Sequence, residues 1–223
     1  MNTKLFLSAI AKFALGVVLI GALLFLPAWT LHYPQAWLLM GILFIPMFLA
    51  GLVMMAKNPS LLRSRLNAKE KEREQSLVVK LSGLMFLVGF VLAGLSYRFG
   101  WLMLPWWVSI VGAVLFLMSY ALYAEVLREN TWLSRTIEVQ EGQQVVSDGL
   151  YGIVRHPMYA VTVTLFLSMP LVLGSALAFA VFLAYPFIIS KRIRNEEEVL
   201  ARDLPGYPEY MQQVKWRLIP FVW

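Results

Sequence analysis

GLYGIVRHPMY (Gly149–Tyr159), the apolar run from Ala160 to Ser190 and KRIRNEEEVL (Lys191–Leu200) form one continuous stretch whose reading decides the fold. Two polar, charged clusters flank a hydrophobic segment. The segment is about 31 residues long, more than one upright span needs. Pro170 and Gly174 divide it near its middle. Two arms of about 15 residues would each rise roughly 22 Å at 1.5 Å per residue. That falls short of the ~30 Å of bilayer hydrocarbon, so the arms tilt or the hairpin does not fully cross. Either way the chain leaves and re-enters one face of the membrane, and the two clusters emerge together.

Outward from this stretch, composition sets the class. Of 223 residues, 60% are hydrophobic and 14% charged, against about 25% charged in ordinary soluble domains. Several apolar runs reach spanning length, and ten-residue segments of alternating polarity, the barrel signature, are absent. The expectation is an all-α integral membrane protein: four transmembrane helices plus a C-terminal membrane helical hairpin, five or six membrane segments in all. It reads as a single membrane domain over residues 1–223, with 1–128 as a four-helix scaffold. The net charge of +6 points to topology and headgroup contact, not to nucleic acid. Without cysteine there is no disulfide or thiolate nucleophile. With only His32 and His156, no metal site is expected.

Span 1 is placed at about Leu5–Leu31. Its length and the lack of a small-x-small cleavage pattern make it a span, not a signal peptide. Span 2 is about Gln35–Ala56, with a kink expected at Pro46. The basic segment from Asn58 to Lys80 starts with a helix signal, Asn58-Pro59. It reads as an amphipathic surface helix or a solvated charged linker. Spans 3 and 4 are about Leu77–Tyr97 and Trp106–Leu127. TIEVQEGQQVV around Glu141-Gly142 suggests a small hairpin. The positive-inside rule puts both termini, the 57–80 and 128–157 loops and the two clusters in the cytoplasm, with Arg98 the one misplaced charge. Glu125, near the inner end of span 4, is either functional or an interfacial structural residue.

The two clusters bring an imidazole, guanidinium groups, tyrosine faces and carboxylates to one membrane mouth. A bland reading is available for the second, since helices leaving a membrane often end in snorkelling bases paired with acids. Taken together, the clusters suit a ligand carrying a carboxylate, an ammonium, ribose hydroxyls and a cation. Arginine or histidine can hold the carboxylate, and tyrosine faces can sit near a sulfonium. No nucleophile–base–acid set of a hydrolase is recognisable. A transporter would more often carry ionisable groups within its spans, and the first four are almost free of them.

Asp148-Gly149-Leu150-Tyr151 followed by Arg155-His156-Pro157-x-Tyr159 resembles the first motif of the isoprenylcysteine carboxyl methyltransferase family and its phospholipid N-methyltransferase relatives. Arg192-x-Arg194-x-Glu196-Glu197, then Leu200, Gly206-Tyr207, Tyr210 and Arg217-x-x-x-Pro220, resembles the second. The resemblance implies S-adenosyl-L-methionine as cofactor, bound over residues 129–223 in a pocket facing the cytosol. Tyr151, Arg155, His156, Pro157, Tyr159, Glu196 and Glu197 are implied to bind it, with Asn130 nearby. Family members place an arginine five residues before a glutamate at the substrate carboxylate. Arg192 and Glu197 fit that offset as catalytic residues, with Arg194 the rival for Arg192 in substrate binding. The glutamate register is open among Glu196, Glu197 and Glu198. The implied partners are membrane lipids and a lipophilic or lipid-modified acceptor. Isoprenylcysteine-type carboxylates match best, with phospholipid, amine or thiol acceptors also open.

Overall fold

A computed structural model describes residues 3–57, 59, 62, 73–133 and 139–223. Among these the chain is helical, with no strand beyond an isolated bridge between Met103 and Ser175. The helices are α1 (Thr3–Ala28), α2 (Pro34–Lys57), α3 (Arg73–Phe99), α4 (Trp106–Glu129), α5 (Pro157–Val172), α6 (Ala176–Phe182), α7 (Tyr185–Asp203) and α8 (Tyr207–Gln213), with a 3-10 turn at Gly149–Gly152. Proline sits at the first position of α2 and α5 and at the second of α7 and α8. There its fixed φ suits a helix start and its missing N–H is no loss. Five stretches are long and apolar enough to cross a membrane: Leu5–Ala28, Pro34–Lys57, Ser76–Phe99, Trp106–Glu129 and Ala176–Asp203.

The four expected spans are therefore present, each within a few residues of its sequence-derived bounds. The hairpin differs from the expectation of two equal arms. Its first arm, α5, has 16 residues, about 24 Å of rise. Its second arm is the 28-residue stretch Ala176–Asp203, formed by α6 and α7 around a turn at 183–184. Lys191–Leu200 continues the same helix as the second arm. Lys, Arg and Glu are good helix formers, so α7 runs on until Leu204 turns extended before Pro205-Gly206. Most of the basic 58–80 segment and part of the 136–146 hairpin lie outside the described residues. The turn at the hairpin's tip is present: the Gln143 N–H donates to Gln140 O at 3.0 Å.

The chain forms two compact units. Unit 1 comprises Met1–Lys69, Leu84–Val114 and Ser168–Phe182. Helices α1 and α2 pack together, with Phe13 edge-on to Phe44 at 5.6 Å. Gly94 lets α3 approach α1: a Cβ there would sit 2.6 Å from Leu24 O. The polar groups buried in this unit are neutral; several are hydrogen-bonded, while Gln35 Oε1 and Ser109 Oγ have no hydrogen-bond partner. Tyr33 stacks on Tyr97 at 4.0 Å and donates to Leu173 O at 2.7 Å, and the Ser175 hydroxyl donates to Ser96 Oγ at 3.0 Å. Outward residues such as Leu15, Val18 and Leu19 are apolar and exposed, as lipid-facing helix surfaces require.

Unit 2 comprises Glu70–Gly83, Leu115–Leu167 and Leu183–Trp223. Its core holds Val126, Tyr151 and Val161 in one cluster and Leu204, Tyr207, Tyr210 and Val214 in another. Both polar clusters of the opening stretch belong to this unit.

Candidate active site

Helix periodicity in α7 sorts the charged residues before any tertiary contact is considered. Tyr185, Ile189, Ile193 and Glu197 recur every four residues and are all buried. Glu197 thus occupies the end of an apolar stripe. Arg192, Glu196 and Leu200 form the adjacent stripe, and all three line a cleft. Adjacent residues on a helix point about 100° apart, so Glu196 and Glu197 enter different environments.

Glu197 is 4% exposed and is held by two guanidinium groups and an imidazole. Arg155 Nε donates to its Oε1 at 2.7 Å, Arg217 Nε donates to its Oε2 at 2.6 Å, and His156 Nε2 lies 3.2 Å from Oε1. The carboxylate selects the histidine tautomer with the proton on Nε2. Arg155 also donates through Nη1 to Val214 O at 2.7 Å and Lys215 O at 3.0 Å. The backbone N–H groups of Arg155 and His156 donate to Trp216 O and Arg217 O at 2.8 and 2.9 Å. The GIVRHP segment, α7 and the C-terminal tail are therefore knotted at one carboxylate.

The 3-10 turn before this segment is clamped to the end of α4. The Glu129 carboxylate accepts from the Leu150 N–H at 2.9 Å. Gly149 has φ +58, and a Cβ there would overlap Glu129, so only glycine fits. The turn points Tyr151 into the core, where its carbonyl accepts from Tyr210 Oη at 2.7 Å.

The cleft is walled by Arg192, Glu196, Leu200 and Leu204, by Tyr151, Arg155, His156 and Tyr159, by Tyr207 and Tyr210, and by Asn130, Trp132, Leu133 and residues 143–146. The cleft is open at its mouth, and counted with that open space it spans about 790 Å³. At its charged side, Tyr159 joins two cluster residues. Its hydroxyl donates to Glu196 Oε2 at 2.5 Å and accepts from Arg192 Nε at 2.8 Å. The Tyr207 hydroxyl is buried without a hydrogen-bond partner. Burial, the largest influence, pushes the hydroxyls of Tyr151, Tyr207 and Tyr210 well above the ordinary tyrosine range. All three stay neutral donors.

Of the residues singled out in the sequence, Tyr151, Arg155, His156, Tyr159, Arg192, Glu196 and Asn130 meet at the cleft. Pro157 starts α5 beside it, and Arg194 is exposed and off its wall. Glu197 lies behind the wall, bonded to Arg155 and His156. Glu198 is exposed. The walls contributed by Trp132, Gln143, Gln144, Tyr207 and Tyr210 carried no assigned role. Tyr207 and Tyr210 stood within the second motif, while Trp132 and the glutamines gave no signal. Arg217, also in that motif, proves to be the second guanidinium on Glu197. Glu125 pairs with Arg128 at 2.5 Å at an exposed position, consistent with the interfacial reading. Among the described residues no three His, Asp or Glu side chains are grouped to hold a metal ion.

Among the described residues, five membrane-capable stretches define a multi-pass helical membrane protein, and a polar cleft walled by the RHPMY segment is its candidate site. Residues 110–202 match the model of the isoprenylcysteine carboxyl methyltransferase family. The fold is similar to that of a eukaryotic intramembrane Ras methyltransferase, isoprenylcysteine carboxyl methyltransferase. The TM-score is 0.57 at 19% identity, covering 92% of this chain and 74% of that one. Over 91 residues the chain is 30% identical to the mouse Delta(14)-sterol reductase TM7SF2, which covers 40% of this chain and only 22% of the reductase. The family model thus matches less than half of the chain, and the solved structure shares its fold.

Proposed function

We propose that this protein is an S-adenosyl-L-methionine-dependent methyltransferase acting on a lipophilic acceptor, with isoprenylcysteine-type carboxylates the acceptor class its motifs match best. The observation that carries the reading is the Arg192–Tyr159–Glu196 chain on one wall of the cleft, facing neutral tyrosine donors on the other. The donor set fits the cofactor. Glu196 can accept from an ammonium or ribose hydroxyls, and the buried, unpartnered Tyr207 hydroxyl needs an acceptor that a polar ligand supplies. His156, Tyr151, Arg155 and Asn130 complete the polar lining.

The cofactor supplies an electrophilic methyl on a sulfonium, which departs as a neutral thioether without a general acid. The protein's task is to position the nucleophile and exclude water. Arg192 holds an acceptor carboxylate through its guanidinium, while Tyr159 keeps that guanidinium oriented. For an amine acceptor, Glu196 receives the proton lost on methylation. Glu197 contributes through position: it fixes Arg155 and His156 and ties the tail to α7. We place the cleft on the cytoplasmic face, following the distribution of lysine and arginine between spans.

Membranes containing the protein, incubated with methyl-labelled cofactor, should transfer label to the lipid phase. Label released by mild base identifies a methyl ester, and base-stable label identifies N-, S- or C-methylation. Failure of any lipid-phase labelling by folded protein across carboxylate, amine and thiol acceptors contradicts the reading. The sterol reductase similarity favours a second one, hydride transfer to a lipid double bond. That chemistry needs a hydride donor and a proton donor. It predicts binding of a reduced nicotinamide dinucleotide and none of S-adenosyl-L-methionine.

A further inference from the structure

The segments of unit 1 contain no Asp or Glu at all. Its lysines and arginines lie near the start of α1 and from the end of α2 onward, with one exception. Arg98 ends α3, at the end of the unit where the short connections 29–33 and 100–105 lie. It is the only charged residue between Lys80 and Glu125. Its guanidinium lies 5.5 Å over the Trp29 ring and 5.1 Å over the Phe99 ring. Phe99 stacks in turn on Trp101 at 4.8 Å. Of the other polar groups of this end, Gln35 Oε1 and Ser109 Oγ are neutral and have no hydrogen-bond partner, and others are bonded internally. Trp37 Nε1 donates to Leu31 O at 2.8 Å and Tyr97 Oη donates to His32 O at 2.5 Å.

Both connections also hold a non-glycine residue in left-handed backbone, Trp29 at φ 56 and Leu102 at φ 44. Each such residue holds backbone strain. Each carries its side chain outward: Trp29 is 78% exposed and Leu102 65%. Trp37, Trp101, Trp106 and Trp107 are also exposed and lie in or beside these two connections, so this end is aromatic and apolar and carries one cation, Arg98, with no ion pair among the described residues. Trp belongs at the headgroup level of a bilayer, and a guanidinium presents a planar fork that matches phosphate.

We propose that this end of unit 1 is a lipid-phosphate site: Arg98, steered by Trp29 and Phe99, binds the phosphate of a phospholipid headgroup while the exposed aromatic and apolar side chains lie against its acyl-chain boundary. The lipid supplies the anion that unit 1 lacks. This assignment is independent of the methyltransferase reading, because it uses no residue of the cleft.

The test is thermal unfolding of the full chain in detergent, titrated with dioctanoyl phosphatidylglycerol, with dioctanoylglycerol and with inorganic phosphate. The expected result is a saturable rise of a few degrees with the phospholipid and none with the other two. Arg98→Gln should lose at least half of the rise. Arg98→Lys, which keeps the charge without the planar fork, should keep an intermediate part. An equal rise in wild type and Arg98→Gln overturns the proposal, as does an equal rise with dioctanoylglycerol or inorganic phosphate. If Arg98→Gln does not fold, mass spectrometry of intact wild type and Arg98→Lys decides. Wild type should retain one phospholipid in preference to diacylglycerol, more strongly than the lysine variant. Equal retention of both lipids, or by both proteins, refutes the site.

Discussion

All 13 Asp and Glu residues fall in the segments of unit 2, and none in those of unit 1. Both units bury polar atoms, but they do so by different chemistry. Unit 1 uses neutral groups that hydrogen-bond within the unit, such as Ser96 with Ser175 and Tyr33 with Leu173 O. Unit 2 buries a full charge, Glu197, and surrounds it with Arg155, Arg217 and His156. A neutral bonded pair is inexpensive to bury, whereas a lone charge is not tolerated. The charged arrangement therefore marks a place where something beyond packing is maintained, namely the register of three chain segments around a cleft.

That contrast can be broken by mutation, and the largest effect is expected at Glu197. Glu197→Ala leaves Arg155 buried beside two fewer anionic oxygens, and breaking a buried ion pair costs about 3–5 kcal/mol. Denaturant titration in detergent micelles should show that loss. A variant within about 1 kcal/mol of wild type, the range of surface pairs, would mean the ion-pair core is not structural. Next comes unit 1, where sterics rule instead of charge. Gly94→Val drives a side chain into the α1 backbone and should cost about 1–3 kcal/mol, as overpacking does. The loss should not vary with salt concentration, and a salt-sensitive loss would argue against the steric account.

A smaller effect is expected at Tyr207. Tyr207→Phe removes a buried hydroxyl that has no partner, so the unliganded protein should change by no more than about 1 kcal/mol. Cofactor affinity should fall instead. A drop in stability with unchanged affinity would remove Tyr207 from the ligand site. The smallest effect is at Glu198, exposed on α7 one residue from the ion-pair core. Glu198→Gln should stay within about 0.5 kcal/mol of wild type and keep full labelling activity. Loss of activity there would shift the glutamate register by one.

Much of this contrast was legible in the sequence. Apolar run lengths placed α1 to α4 within a few residues, because hydrocarbon thickness sets helix length irrespective of partners. Pro170 and Gly174 marked the break after α5. The helix of the second arm runs past the apolar segment, because Lys191–Leu200 is made of good helix formers and continues α7. The division between Glu196 and Glu197 was within reach of sequence: Tyr185, Ile189 and Ile193 already set the buried stripe on which Glu197 falls. Its cations were not, since Arg155 and Arg217 lie 42 and 20 residues away. From the sequence, Trp132, Leu133 and residues 143–146 read at most as parts of a small hairpin, and nothing in their pattern points to a cleft wall.

The most direct measurement is calorimetric titration of S-adenosyl-L-methionine into detergent-purified wild type, Glu196→Gln and Glu198→Gln. Saturable heat for wild type and Glu198→Gln, with at least a tenfold weaker response for Glu196→Gln in a protein of unchanged melting temperature, is the predicted result. No heat in folded wild type at millimolar cofactor, or equal affinity in all three, would contradict the assignment of the cleft.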